Sequence, residues 1–314
     1  MMRLKNLLSA LVIAVACLSS TVHAAEFEMI SYSAQVKLQW LAAAGIPDAV
    51  MYNQLLNKRD FFNRDNLNDF DRIEKVNAIY NDFCYASFID FVKANNYQDV
   101  YEIGCSYSPR VVALAKAGCN YVGAELSAVA LVADDLARRV LDKRYHHQFA
   151  YFDAPVVDRA AMLDSANFLN GKVCVIEQGL MIYFNRDQIA GMLENIKAIL
   201  HQHGGCFVTS NFVRKDYFAD IVTPIYGAGS VDDLYFETKS MYEGVLGDPM
   251  YDDTFSSKED AIAFLNGLGF EVREAPLFTE EPELDCFKGL TDEQIGALKT
   301  LGRQKYIWVL TLKG

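Results

Sequence analysis

At 314 residues, 52% of them hydrophobic, the chain is long enough to bury one large core, or a core and a cap. A net charge of −12 with no basic cluster repels phosphate backbones, which excludes nucleic acid from the expected partners. The 7 cysteines form no CxxC pair and have no histidine at zinc-like spacing, which argues against a zinc site.

Residues 1–24 read as a secretory signal. Arg3 and Lys5 form a basic start, Leu7 to Leu18 an apolar run, and Val22-His23-Ala24 a small-residue cleavage site. The run is too short for a stable membrane anchor, so the expectation is export to a periplasm or medium. The alternative is a cytoplasmic chain that starts at Met29. Residues 1–24 hold two cations and no acids, so the rest of the chain carries −14. It keeps Cys84, Cys105, Cys119, Cys174, Cys206 and Cys286. Cys105, Cys174 and Cys206 lie in or beside apolar runs and read as buried free thiols, a usage that suits a reducing compartment and conflicts with the signal.

Residues 25–95 are predicted to form a helical cap. Short periodic stretches flank Pro47, and Ile73, Val76, Tyr80, Phe83, Phe88 and Phe91 make a longer amphipathic face, with a polar loop over 57–71 between them. From residue 96 strands and helices alternate. Strands are expected at Asp99–Ile103, Tyr121–Glu125, Gln148–Phe152, Val173–Gln178 and Cys206–Asn211, and helices at Pro109–Ala117, Ser127–Asp142 and Arg186–His201. Residues 212–254 break the rhythm and are too long for an ordinary connection, so they read as a lid or insertion. A helix at Ser256–Leu268 and strands at Phe270–Arg273 and Tyr306–Leu312 complete the domain. The expected fold is α/β, a Rossmann-like, doubly wound and mostly parallel seven-stranded sheet, with the N-terminal helical cap and an insertion after the fifth strand.

Chemistry concentrates between Asp99 and Ser127. A strand closed by Gly104 leads into a helix and then a second strand, with Glu125 at its end, 21 positions after the glycine. Such a turn brings a ligand to backbone N–H groups, and an acid at that distance takes both hydroxyls of a ribose. A dinucleotide fits poorly, because Ser106 and Pro109 stand where G-x-G-x-x-G needs its later glycines. The string Gly104-Cys105-Ser106-Tyr107-Ser108 also resembles a nucleophile elbow, but no histidine follows His203 to complete a triad. His201 and His203 lie two apart near a helix end, and His146-His147 reads as a solvated loop.

Four features together resemble class I S-adenosylmethionine-dependent methyltransferases: EIGCSYSPR, Glu125, Asp153 after the third strand, and CVIEQGLMIYF at the fourth. More narrowly they are similar to the leucine carboxyl methyltransferase-like branch, which includes O-methyltransferases of polyketide pathways. The resemblance implies S-adenosylmethionine as cofactor and a small-molecule or peptide carboxylate or hydroxyl as acceptor. It implies that Glu102, Gly104 and Cys105 open the cofactor turn, that Arg110 pairs with the methionine carboxylate, and that Glu125, with Leu126 beside it, holds the ribose hydroxyls. Asp153 would sit near the adenine amine. The family's Glu-Gly-Leu-x-x-Tyr maps onto Gln178, Gly179, Leu180 and Tyr183, so glutamine replaces the usual glutamate. Tyr183 and Asn211, with Tyr217, Tyr226, Tyr235 and Tyr242 of the insertion, are candidates for the acceptor pocket by position. Core packing accounts for Tyr183 almost as well. An exported, non-catalytic binding protein on the same fold is the competing reading.

Overall fold

In the computed structural model the described residues are 33–56, 71–152, 159–210, 212, 214–246 and 254–314. The expected signal, most of the polar loop over 57–71, Asp153 and Asn211 lie outside them.

The N-terminal part is helical. It comprises α1 (33–44), α2 (Pro47–Leu55) and α3 (Arg72–Ala94). Pro47 sits at the start of α2, where its missing N–H costs nothing. Asp71 opens α3 with a capping box: its carboxylate accepts from the Glu74 amide at 2.9 Å, and Glu74 accepts from the Asp71 amide at 3.2 Å.

Strands and helices then alternate as β1 (Asp99–Ile103), α4 (Arg110–Lys116), β2 (Asn120–Leu126), α5 (Ser127–Val140), β3 (His147–Phe152), α6 (Arg159–Ala166), β4 (Val173–Glu177), α7 (Arg186–His203) and β5 (Gly205–Thr209). The insertion is the helix pair α8 (Arg214–Tyr226) and α9 (Val231–Leu246). The chain closes with α10 (Lys258–Gly267), β6 (Phe270–Pro276), α11 (Asp292–Gln304) and β7 (Tyr306–Leu312). The seven strands form one sheet in the order β3-β2-β1-β4-β5-β7-β6. Pairings from β3 to β5 are parallel, and β7 runs antiparallel between β5 and β6. This is the expected Rossmann-like, doubly wound architecture.

Side chains alternate along each strand, so the sheet divides into two cores. Val100, Tyr121, Cys174, Ile176, Cys206 and Val208 face the helical cap, while Tyr101, Ile103, Val122, Val173, Val175 and Phe207 face the other side. Central strands buried on both faces read as continuous apolar runs. By the same period of two, Glu102, Glu125 and Gln178 point to the cap side and Glu177 away from it.

Three parts of the sequence reading change. Two helices, α6 and α11, were not expected. The first is short; the second does carry Ile295, Leu298 and Leu301 at helical spacing toward the core, behind a capping box of Thr291 and Gln294 visible as T-x-x-Q, a signal the sequence reading missed. The insertion is a helical hairpin on α3, where Phe218, Val222, Leu234 and Tyr235 gather around Val76. Tyr235 packs edge-on against Phe218 and is 8% exposed, which places it in that core. The side chains of Tyr217 and Tyr242 fall outside what is described. Finally, His147 belongs to β3, not to a solvated loop. Its side chain is 9% exposed and lies 3.9 Å from Asp134, and burial holds its imidazole below the usual histidine range.

All six cysteines among the described residues are free and buried. No helix of the described residues is long and apolar enough to cross a membrane.

Asp82 supplies a pH-dependent tie between the cap and the domain's C-terminal part. Buried on α3, it accepts from the Cys286 amide at 3.0 Å, and burial pushes its carboxyl up to about 6 from an ordinary 3.8. A carboxyl raised in the folded state destabilises the fold when ionised. The cost is complete above pH 6 and fades as the folded state takes up the proton ahead of the unfolded one. Asp82→Asn keeps an acceptor for the amide and removes the charge. The variant is expected to be more stable than the native chain by about 1–2 kcal/mol at pH 7.5, with the gain gone near pH 4. Urea denaturation at both pH values checks this; a gain independent of pH contradicts it.

Candidate functional site: the crevice at the switch point

The sheet reverses its winding between β1 and β4, and ligands of open α/β sheets bind outside the strand ends at such a point. The loop after β1 and the loop after β4 form the walls here, with the helical cap above them.

The β1 loop turns on Gly104, whose φ of +65° is in the left-handed region. Its amide donates to the Ala124 carbonyl at 2.8 Å, which binds the turn to β2. A Cβ at Gly104 would lie 3.0 Å from the Leu180 Cβ, so the β4 loop closes on the turn at a place only glycine leaves free. Cys105 follows with its thiol buried, and Gly123 makes room for it, since a Cβ there would lie 3.1 Å from the Cys105 Sγ. Burial and the nearby carboxylates of Glu125 and Glu102 push this thiol well above the usual range, so Cys105 is not a thiolate nucleophile.

Glu125 meets the turn. One carboxylate oxygen accepts from the Ser106 amide at 2.8 Å, and the other accepts from the Leu126 amide at 2.8 Å. Each oxygen keeps further acceptor capacity. Burial raises this carboxyl above the usual glutamate range, and the two amide bonds oppose the rise. Leu126, half-buried, precedes the first turn of α5.

Beneath the crevice lies a buried polar cluster. Glu102, fully buried on β1, receives the Arg110 guanidinium on one oxygen and the Tyr121 hydroxyl on the other, the latter at 2.7 Å. The second arm of Arg110 donates to the Gln178 side-chain oxygen. The rings of Tyr85 and Phe88 lie 5.4 and 5.5 Å from the guanidinium carbon. Arg110 is therefore spent inside the protein, where no ligand carboxylate replaces Glu102 without leaving that acid unpaired. The Gln178 amide nitrogen donates to Asn81 of α3 at 3.4 Å.

The β4 loop is held from within. Glu177 accepts from the Leu180 and Met181 amides at 2.6 and 3.1 Å, and from the Thr209 hydroxyl at 2.7 Å. Tyr183 ends a single 3₁₀ turn and packs, half-buried, against the core on the far side of the sheet.

The sequence reading missed Lys37. It extends from α1 to the crevice, where its ammonium donates to the Gln178 main-chain carbonyl at 3.1 Å. Burial holds it below the usual lysine range, against the pull of Glu102 and Glu177. One carbonyl uses one of its three N–H donors. The sequence signal was a lone cation inside the apolar stretch Val36-Lys37-Leu38-Gln39-Trp40-Leu41.

The histidines of the described residues lie elsewhere. His146 and His147 lie at the start of β3 and His201 and His203 close α7, so all four sit at the strands' N-terminal edge, opposite the crevice. Among the described residues a serine-hydrolase site at Ser106 therefore has no histidine base. Among the described residues no group of three or more His, Cys, Asp or Glu side chains is arranged to hold a metal.

No family model matches the chain, and no curated protein matches it. Solved structures similar to it include magnesium protoporphyrin IX methyltransferase from Synechocystis PCC 6803 with bound SAH, at 13% identity, covering 88% of this chain and 97% of that one, with a TM-score of 0.45. The plantazolicin methyltransferase BamL, in complex with a triazolic desmethylPZN analog and SAH, is 13% identical over 91% of this chain and 99% of its own, with a TM-score of 0.42. A putative O-methyltransferase from Nostoc punctiforme is 14% identical over 76% of this chain and 59% of its own, with a TM-score of 0.41. These are distant likenesses of fold, and the crevice is read from its own residues.

Proposed function

We propose that the chain is an S-adenosylmethionine-dependent methyltransferase that methylates an oxygen of a small molecule or peptide. The observation that carries this is the contact between Glu125 and the Gly104 turn. An acid at the end of β2, with spare acceptor capacity on both oxygens, faces a left-handed glycine turn at the switch point. That constellation suits a ribose and an attached chain without a diphosphate. The residues present fit the cofactor: Glu125 takes the two ribose hydroxyls, and Gly104 and Cys105 keep the floor low. Lys37 offers its remaining N–H donors to the amino-acid carboxylate, the task that the resemblance implies for Arg110. Asp153 near the adenine amine belongs to the same proposal.

The cofactor supplies a methyl group on a sulfonium, ready for in-line displacement. What the protein adds is alignment and exclusion of water, for which α1, α3 and the α8–α9 pair stand over the sheet. A carboxylate acceptor needs no proton removed, and no histidine of the described residues reaches the crevice. This favours a carboxylate or an acidic hydroxyl, in keeping with the leucine carboxyl methyltransferase-like branch; Asn211 stays the acceptor-side candidate by position, whereas Tyr183, expected there too, packs on the other side of the sheet. Export remains part of the proposal through residues 1–24.

Calorimetric titration of the purified protein with S-adenosylhomocysteine tests the reading, and absence of binding overturns it. Lys37→Met tests the role of the ammonium. It is expected to weaken S-adenosylhomocysteine about 10–100-fold, the worth of a charge-assisted bond, and to leave 5′-methylthioadenosine, which lacks the amino-acid tail, nearly unchanged. Equal losses for both ligands remove Lys37 from the carboxylate.

A further inference from the structure

Ser106 carries two local costs that the fold does not require. Its φ of +55° lies in the left-handed region, where glycine rests without strain and a serine does not. Its hydroxyl oxygen is buried and has no hydrogen-bond partner among the described residues. Among the described residues the other non-glycine residue with positive φ is Asn96, which follows the end of α3, a setting where asparagine is ordinary. Glycine at position 106 would remove both costs and keep the amide that Glu125 holds. A residue that strains the backbone and leaves a polar atom unpaired at a binding crevice points to a ligand.

The neighbours of Ser106 narrow what that ligand group is. The Ser106 amide and the Glu125 carboxylate are 2.8 Å apart, so the hydroxyl belongs to the residue that directly abuts the acid. Arg110, four residues on, is committed to Glu102 and Gln178, and does not compete for a ligand there. We infer that the Ser106 hydroxyl is a specificity-determining contact to the sugar of the bound ligand, shared with Glu125. A ribose O–H donates to the carboxylate, and the same oxygen accepts from the serine O–H. The inference rests on the methyltransferase reading and adds a residue that a glycine turn would lack.

The test uses Ser106→Ala and Ser106→Gly, with S-adenosylhomocysteine and 5′-methylthioadenosine titrated by calorimetry, and thermal unfolding of the ligand-free proteins. Both variants are expected to bind both ligands about 3–10-fold more weakly. Ser106→Gly is expected to unfold at a higher temperature than the native chain, so the loss of affinity does not come from a damaged fold. Native binding with unchanged affinity in Ser106→Ala overturns the inference, because the hydroxyl then makes no contact that the ligand needs. A loss confined to S-adenosylhomocysteine also overturns it, moving the contact to the amino-acid tail. Failure of the native protein to bind either ligand overturns the methyltransferase reading beneath it, a result distinct from both.

Discussion

Glu125→Ala is expected to abolish detectable binding of S-adenosylhomocysteine, a loss of at least about 100-fold. Two hydrogen bonds to an ionised carboxylate, each worth about 1.5–3 kcal/mol, disappear together. The same substitution frees the Ser106 and Leu126 amides, both held at 2.8 Å, so the turn itself loosens. Glu125→Gln separates the two effects, because it keeps one acceptor oxygen and exchanges the other for a donor; its expected loss is about tenfold. Burial raises the Glu125 carboxyl above the ordinary range, so affinity should fall on acidification at a higher pH than an exposed glutamate would give. Calorimetry from pH 8 to pH 5 measures this. Unchanged affinity in Glu125→Ala removes the ribose assignment and with it the observation on which the function rests.

Glu102→Leu carries the largest expected effect on stability. Glu102 and Arg110 are both fully buried, and the substitution leaves the guanidinium without its counter-charge. Breaking such a pair from one side costs about 3–5 kcal/mol, far above the value of an exposed ion pair. The double variant Glu102→Leu with Arg110→Met removes both charges and substitutes apolar volume. It is expected to recover more than half of that loss, since a buried pair is often no better than hydrophobic packing. Urea denaturation of the two single variants and the double provides the cycle. Additive losses would show that the pair does not act as a unit. The cluster's place beneath the crevice explains why the protein keeps it: through Gln178 it fixes the β4 loop against the β1 loop.

Much of the framework was legible in the chain. Val173-Cys174-Val175-Ile176 is apolar on both faces because both sides of β4 are covered, which is the signature of a central parallel strand. Gly118, at φ +92°, follows the expected helix Pro109–Ala117 and ends it. The distance from Gly104 to Glu125 is a local property of one strand–helix–strand unit, so the acid and the turn meet as spacing alone predicts. The helix α6 was less visible, because it is short and leaves little periodic pattern, whereas α11 carries Ile295, Leu298 and Leu301 at helical spacing behind its capping box and was legible.

The sequence by itself determined the strand order's local units, the left-handed glycine and the acid opposite it, because backbone sterics and short-range periodicity act within some thirty residues. Only the tertiary structure decided which cation faces the crevice. Arg110 sits at the helix start where a ligand-binding arginine is expected, yet β1 and β4 turn Glu102 and Gln178 toward it and draw it inside. Lys37 is 141 residues from Gln178 in the chain and meets it only because α1 folds over the sheet. A buried charge goes to the partner that compensates its lost hydration, and that partner is set by packing, not by neighbours in sequence.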